Sequence, residues 1–181
     1  MIVRALLIFI LLITQSCAGM HLPRISPKQE GVDKQFEPFI EEYRYIIGED
    51  SYPHRFERLH MNLANLEDSI IGRCWWLLNG DYEIEIDRNY WYNIRNSALD
   101  KQFTIYHELE HCIRYRSHTN RKEKIENIVD FFEEIGYRIG LVSKPGFLPD
   151  GCPISLMHSH SFSWECQNKH YNYYIKEMQE W

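Results

Sequence analysis

Residues Ala98 to His118 read ALDKQFTIYHELEHCIRYRSH, and the rest of the chain is best read outward from them. Leu99, Phe103, Ile105, Tyr106, Leu109, Cys112 and Ile113 recur at helical spacing, which predicts a helix of roughly four turns with a broad apolar face. His107 and His111 are one turn apart, so both imidazoles project from the same side. Two nitrogens placed this way can hold one Zn²⁺ at about 2.1 Å each. Glu108 lies beside them, off the metal axis, where a carboxylate can take a proton from water. The pattern His-Glu-x-x-His carries this chemistry with it. A solvated helix face that happens to bear histidines would share the three fixed residues, but not the setting after strands in an exported chain.

A catalytic zinc needs a third protein ligand and one open position. His118 is the first candidate. On a straight helix it would lie two turns past His111, roughly 10 Å along the axis, too far to share a metal. The helix must therefore stop between Cys112 and Ser117 and the chain must fold back. No glycine eases that turn, so Tyr115, Arg116 or Ser117 is expected to take a strained conformation. The other candidates are acids on a following amphipathic helix predicted from about Asn120: Glu126, Glu133 and Glu134.

Upstream the period changes. In DYEIEID, Tyr82, Ile84 and Ile86 fall on one face and Asp81, Glu83, Glu85 and Asp87 on the other. With IIGRCWWLL and the NGD turn before it, this predicts a hairpin. An acidic face is expected to meet solvent, which places the strand near a sheet edge along the cleft. There it would pair with an extended substrate and favour basic side chains. Phe36 to Ile47 read as an amphipathic helix closed by Gly48, and NKHYNYYIKEMQEW as a final helix.

The first twenty residues differ from the rest. Arg4 precedes an apolar run from Ala5 to Ile13, too short to span a bilayer, followed by small and polar residues. This is an export signal, expected over residues 1–16. Cys17 directly after it resembles a lipidated cysteine, although Thr14 stands where an aliphatic residue is usual; simple cleavage near Ala18 or Gly19 is the alternative. Lipid at Cys17 would hold the protein on a membrane in the bacterial cell envelope without spanning it. Residues 17–33 read as a tether and 34–181 as one domain, with an inserted helix near 121–142. The remaining Cys74, Cys112, Cys152 and Cys166 fit up to two disulfides in an exported chain, with three connectivities open. A net charge of −6 without a basic stripe argues against a nucleic-acid partner. A monomer is expected.

HELEHCIRYRSH together with SLMHSHSF resembles the metzincin zinc endopeptidases. It is more similar still to a group of uncharacterised bacterial metallopeptidase-like lipoproteins, through Cys74, IEIDRNYW, HELEHC, RSH and SLM. The likeness covers residues 36–118 and 150–180. It implies an α+β, metzincin-like fold: a small twisted mixed sheet, an active-site helix and a C-terminal helix. It implies one catalytic Zn²⁺ held by His107, His111 and His118, with Glu108 as general base and Met157 in a structural Met-turn. The expected substrate is a peptide or protein, hydrolysed at a peptide bond. Two departures stand out. The third histidine falls one residue later than usual, where Ser117 would carry it, and Glu110 replaces a glycine common in such motifs. His158 and His160 are further candidates for stabilising an oxyanion. Met157 is otherwise an ordinary core residue. The alternative reading is a non-catalytic surface lipoprotein that binds a protein or glycan around a structural zinc.

Overall fold

Ser97 starts the long helix through a capping box: its hydroxyl accepts from the Asp100 amide and the Asp100 carboxylate accepts from the Ser97 amide. The structure is a computed structural model that describes residues 24–118, 147–158 and 163–181. Cys17, the expected inserted helix, Glu126, Glu133, Glu134 and His160 lie outside the described residues. The elements are α1 (Glu37–Ile47), α2 (Pro53–Phe56), β1 (Leu59–Ala64), β2 (Gly72–Trp76), β3 (Tyr82–Asp87), α3 (Arg88–Tyr92), α4 (Ala98–Arg114), α5 (Trp164–Lys169) and α6 (Tyr171–Glu180). This is a small mixed α+β arrangement with helices at its C-terminal end.

The sheet has the order β1-β3-β2, with β1 parallel and β2 antiparallel to β3. β2 and β3 form the hairpin expected from the NGD turn, closed by bonds between Leu77 and Asp81 and between Gly80 and Leu77. Register divides the side chains cleanly. Met61, Ile84 and Cys74 lie across from one another on the face toward α4, and Trp76 pairs with Tyr82 on that same face. Ile84, Ile86 and Met61 are fully buried there, packed with Ile105, Leu109 and Ile113 of α4. Tyr43 of α1 and Tyr174 of α6 close the core from the other side of α4.

The opposite face corrects the sequence reading. β3 is the central strand, and Glu83 and Glu85 are fully buried. Residues 24–33, read as tether, are bound to the sheet: Gly31 and Asp33 bond to Met61, and Arg24 and Ile25 to Leu78 and Asn79. Arg24 pairs with both Glu83 and Glu85, Lys28 reaches Glu85 at 2.7 Å, and Arg73 reaches it at 3.1 Å. The Trp75 indole donates to Glu85 as well. Burial pushes the Glu85 carboxyl up, but Lys28, Trp75 and Arg24 together hold it below its ordinary range. These acids are neutralised inside the protein, so they offer nothing to a basic substrate. Among the described residues, the sheet edge near α4 is β2, which pairs only with β3.

Two disulfides join Cys74 to Cys112 and Cys152 to Cys166. The first ties β2 to α4 one residue beyond His111. The second ties the 147–158 segment to α5. No helix among the described residues is long and apolar enough to cross a membrane.

Candidate metal centre

α4 ends where the distance argument requires. Tyr115 takes the left-handed conformation (φ 59°, ψ 27°), and its amide bonds back to the Glu110 carbonyl. A tyrosine in that region is disfavoured where glycine is not. Two features hold it: the Arg55 guanidinium lies 4.0 Å from its ring centre while donating to the Ile113 carbonyl, and its hydroxyl is 2.7 Å from that of Tyr82. Arg116 follows with its own amide on Glu110, and three residues past Tyr115 the chain has brought His118 back to the helix.

The result is a closed triangle. The Nε2 atoms of His107 and His111 are 3.0 Å apart, and each lies 3.1 Å from Nε2 of His118. These three residues form one of two groups with metal-ligand spacing among the described residues. The other contains Cys152, whose sulfur is committed to a disulfide.

Chemistry tests whether a cation fits. His107 Nδ1 is 2.8 Å from the Leu156 carbonyl, and His111 Nδ1 is 2.5 Å from the Arg116 carbonyl. A carbonyl oxygen only accepts, so both rings carry their proton on Nδ1. Their Nε2 atoms therefore present lone pairs to each other at 3.0 Å. That contact is repulsive unless a cation is shared between them. Burial lowers the His107 pKa to about 3, reinforced by the neighbouring imidazoles, and lowers that of His111 to about 4. Both rings are thus held in the neutral form that binds metal. The donor set, three neutral imidazole nitrogens within one ion's reach, fits zinc.

Glu108 points from the same helix toward β2. It is buried, and desolvation pushes its carboxyl up to about 8, with Arg73 opposing weakly. Its position depends on Gly72. A Cβ built on Gly72 would lie 2.6 Å from Glu108 Oε1 and 2.7 Å from its Cγ. The glycine interrupting IIGRCWW is therefore the space the carboxylate occupies, as a glycine inside a strand often signals.

The support behind the histidines was not foreseen. Glu110 is fully buried and accepts from the Tyr43 hydroxyl at 2.7 Å, Arg114 at 3.2 Å and Arg116 at 2.9 Å. Arg116 also pairs with Glu177 of α6. Glu177 in turn accepts from Ser155 Oγ at 2.6 Å and from the Leu156 amide at 2.9 Å. Burial lowers the Arg116 pKa, but its two carboxylate partners more than offset this and raise it. One guanidinium thus fixes the loop whose carbonyl orients His111. Through Glu177 it also fixes the turn whose carbonyl orients His107. The acid in place of glycine at position 110 is the hub of the return loop. An acid inside a helix followed six residues later by arginine was the available signal.

Met157 is fully buried in that turn, next to Leu156, with its amide on Ser155 Oγ. His158 packs against Phe147 with ring centres 4.9 Å apart. His170 pairs with Asp150, and His60 accepts from the Gly31 amide. Compared with protein families, with characterised proteins and with solved structures, the chain finds no match.

Proposed function

We propose that the chain is a zinc-dependent endopeptidase of metzincin-like design. The observation that carries this reading is the triangle of three Nε2 atoms at 3.0–3.1 Å, with the Glu108 carboxylate on the adjoining helix position. His107, His111 and His118 would hold the ion, and Met157 would serve in the turn behind His107. Zinc bound there supplies Lewis-acid polarisation of a scissile carbonyl and acidification of water. The chain's residues do the rest. The Leu156 and Arg116 carbonyls fix the His107 and His111 tautomers. Glu108 takes a proton from the attacking water at its carboxylate and delivers it to the leaving amine nitrogen as the C–N bond breaks. β2 offers its free edge to an extended peptide backbone. All four residues come from one chain, so a monomer suffices.

Export and anchoring through Cys17 belong to the same proposal. Two disulfides among the described residues suit an oxidising compartment.

The test measures zinc content and peptide cleavage for the wild type, His118→Ala and Glu108→Gln. One zinc per chain, lost in His118→Ala, is expected. Cleavage in Glu108→Gln should fall by about 10²–10⁴ with zinc retained. Zinc retained in His118→Ala would move the third ligand to another residue. Zinc without cleavage in the wild type would favour a non-catalytic surface binder with a structural ion.

A further inference from the structure

β2 does not end at the candidate centre; it continues alongside α4. Gly72 meets Glu108, Cys74 is bonded to Cys112, and the Trp76 ring centre lies 4.9 Å from that of Tyr115. Four residues beyond Gly72, about 13 Å along the strand, the surface opens into a hollow of about 490 Å³. Trp76, Leu77, Gly80, Asp81, Tyr82 and Tyr115 line it. Trp76 and Tyr115 remain 58% and 45% exposed.

Its walls are rigid. Tyr115 is fixed by its cap conformation, by Arg55 and by the Tyr82 hydroxyl. Arg58 clamps the hairpin turn, bonding Asp81 at 3.1 Å and the Asn79 carbonyl at 2.7 Å across Gly80. A guest entering such a hollow does not have to order it first.

The chemistry selects the guest. Asp81 is the one acid among the described residues that line the hollow, and Arg58, His60 and Asn79 already bond to it. A cationic side chain would find no free carboxylate and two guanidinium groups nearby, Arg55 and Arg58. An anion would face ring surfaces that carry negative potential, while Arg58 is engaged by Asp81 and the Asn79 carbonyl and Arg55 by the Ile113 carbonyl. A neutral aromatic ring meets only complementary contacts, edge-to-face with Trp76, Tyr82 and Tyr115.

Resting on the peptidase reading, we propose that this hollow is a specificity subsite for an aromatic substrate side chain. A peptide docked antiparallel to β2, the more stable pairing, runs from Trp76 toward Gly72. The hollow therefore receives a residue about four positions N-terminal to the cleaved bond.

The zinc-loaded full chain is assayed against peptides carrying Phe, Ala, Lys or Glu at each of the three to five positions upstream of the cleaved bond. The expected kcat/KM ratio of Phe over Ala is about tenfold at one of these positions, with no gain for Lys, as one well-formed aromatic contact provides. Trp76→Ala should collapse that ratio to near one, and Trp76→Phe should restore most of it. Affinity of zinc-loaded Glu108→Gln for the same peptides, read by calorimetry, should show the same Phe-over-Ala ratio without turnover. Cleavage with a flat preference at these positions, a preference for Lys, or a ratio unmoved by Trp76→Ala would overturn the subsite and leave the peptidase reading intact. A zinc-loaded wild type that cleaves no peptide would overturn the peptidase reading and the subsite with it.

Discussion

Arg116→Met tests the idea that one buried guanidinium positions two of the proposed metal ligands. Arg116 is only 5% exposed, and its partner Glu110 is not exposed at all. Methionine keeps the apolar stem and removes the fork. Glu110 then keeps Tyr43 and Arg114 but loses a 2.9 Å charged bond, and Glu177 loses its contact as well. Removing one member of a buried pair costs about 3–5 kcal/mol, and the surviving Arg114 argues for the lower end, about 3. For a chain of this size that shifts Tm by about 6–12 °C in the zinc-free protein. A second effect is separable from the first. The carbonyls of Arg116 and Leu156 orient His111 and His107, so their loosening should weaken zinc binding by about 10–100-fold. At saturating zinc this adds about 1.4–2.8 kcal/mol to the stability difference. Calorimetric melting with and without zinc, and chelator competition for affinity, measure the two effects independently. Zinc affinity within twofold of wild type and a Tm shift under 2 °C would refute the shared-support argument. Arg116→Lys, which keeps the charge but cannot bond two carboxylates in one plane, should fall between the two.

Further outcomes follow from other elements. Gly72→Ala places a methyl within 2.6 Å of Glu108 Oε1; turnover should fall at least tenfold while zinc content is unchanged, and equal loss of both would point to misfolding. Replacing Cys74 and Cys112 together by serine opens a loop closed over a sequence separation of 38, which should cost about 4 kcal/mol on chain-entropy grounds, read by urea unfolding. Glu85 is held below its ordinary range in the folded state, so its contribution is present above the unfolded carboxylate pKa and fades as pH falls through the folded value. Unfolding free energy measured from pH 7 to pH 3 should therefore drop less steeply in Glu85→Gln than in wild type, and parallel curves would contradict this.

The sequence was most legible where local geometry leaves few choices. The 3.6-residue period of α4 and the spacing of His107, His111 and His118 required a helix end before Ser117 and a strained residue there. Tyr115 has that role. The hairpin was legible from NGD, and two disulfides from an even cysteine count. What failed was the environment of β3. Alternation correctly sorted Glu83 and Glu85 onto one face, but alternation says nothing about what covers a face. The cover comes from Arg24 and Lys28, more than fifty positions away, in a stretch rich in proline and glycine that reads as linker. The role of Glu110 was hidden for a related reason: its partners Tyr43 and Arg116 come from a distant helix and from the return loop. Gly72 showed itself only once the neighbouring helix was in place.

The docked segment at Arg24 has a mechanical meaning. Because the strap is fastened to the sheet, the bonded body of the protein begins by Arg24 and not at the start of α1. With Cys17 as the proposed lipid attachment, six residues, Ala18 to Pro23, stand between anchor and strap. The seven steps from Cys17 to Arg24 can span at most about 25 Å. Under that proposal, so short a leash would confine the protein to a shallow layer over the bilayer. The substrates of the proposed peptidase would then be those that lie on the membrane or hang close to it, and lengthening the leash would widen that layer without altering the candidate metal centre.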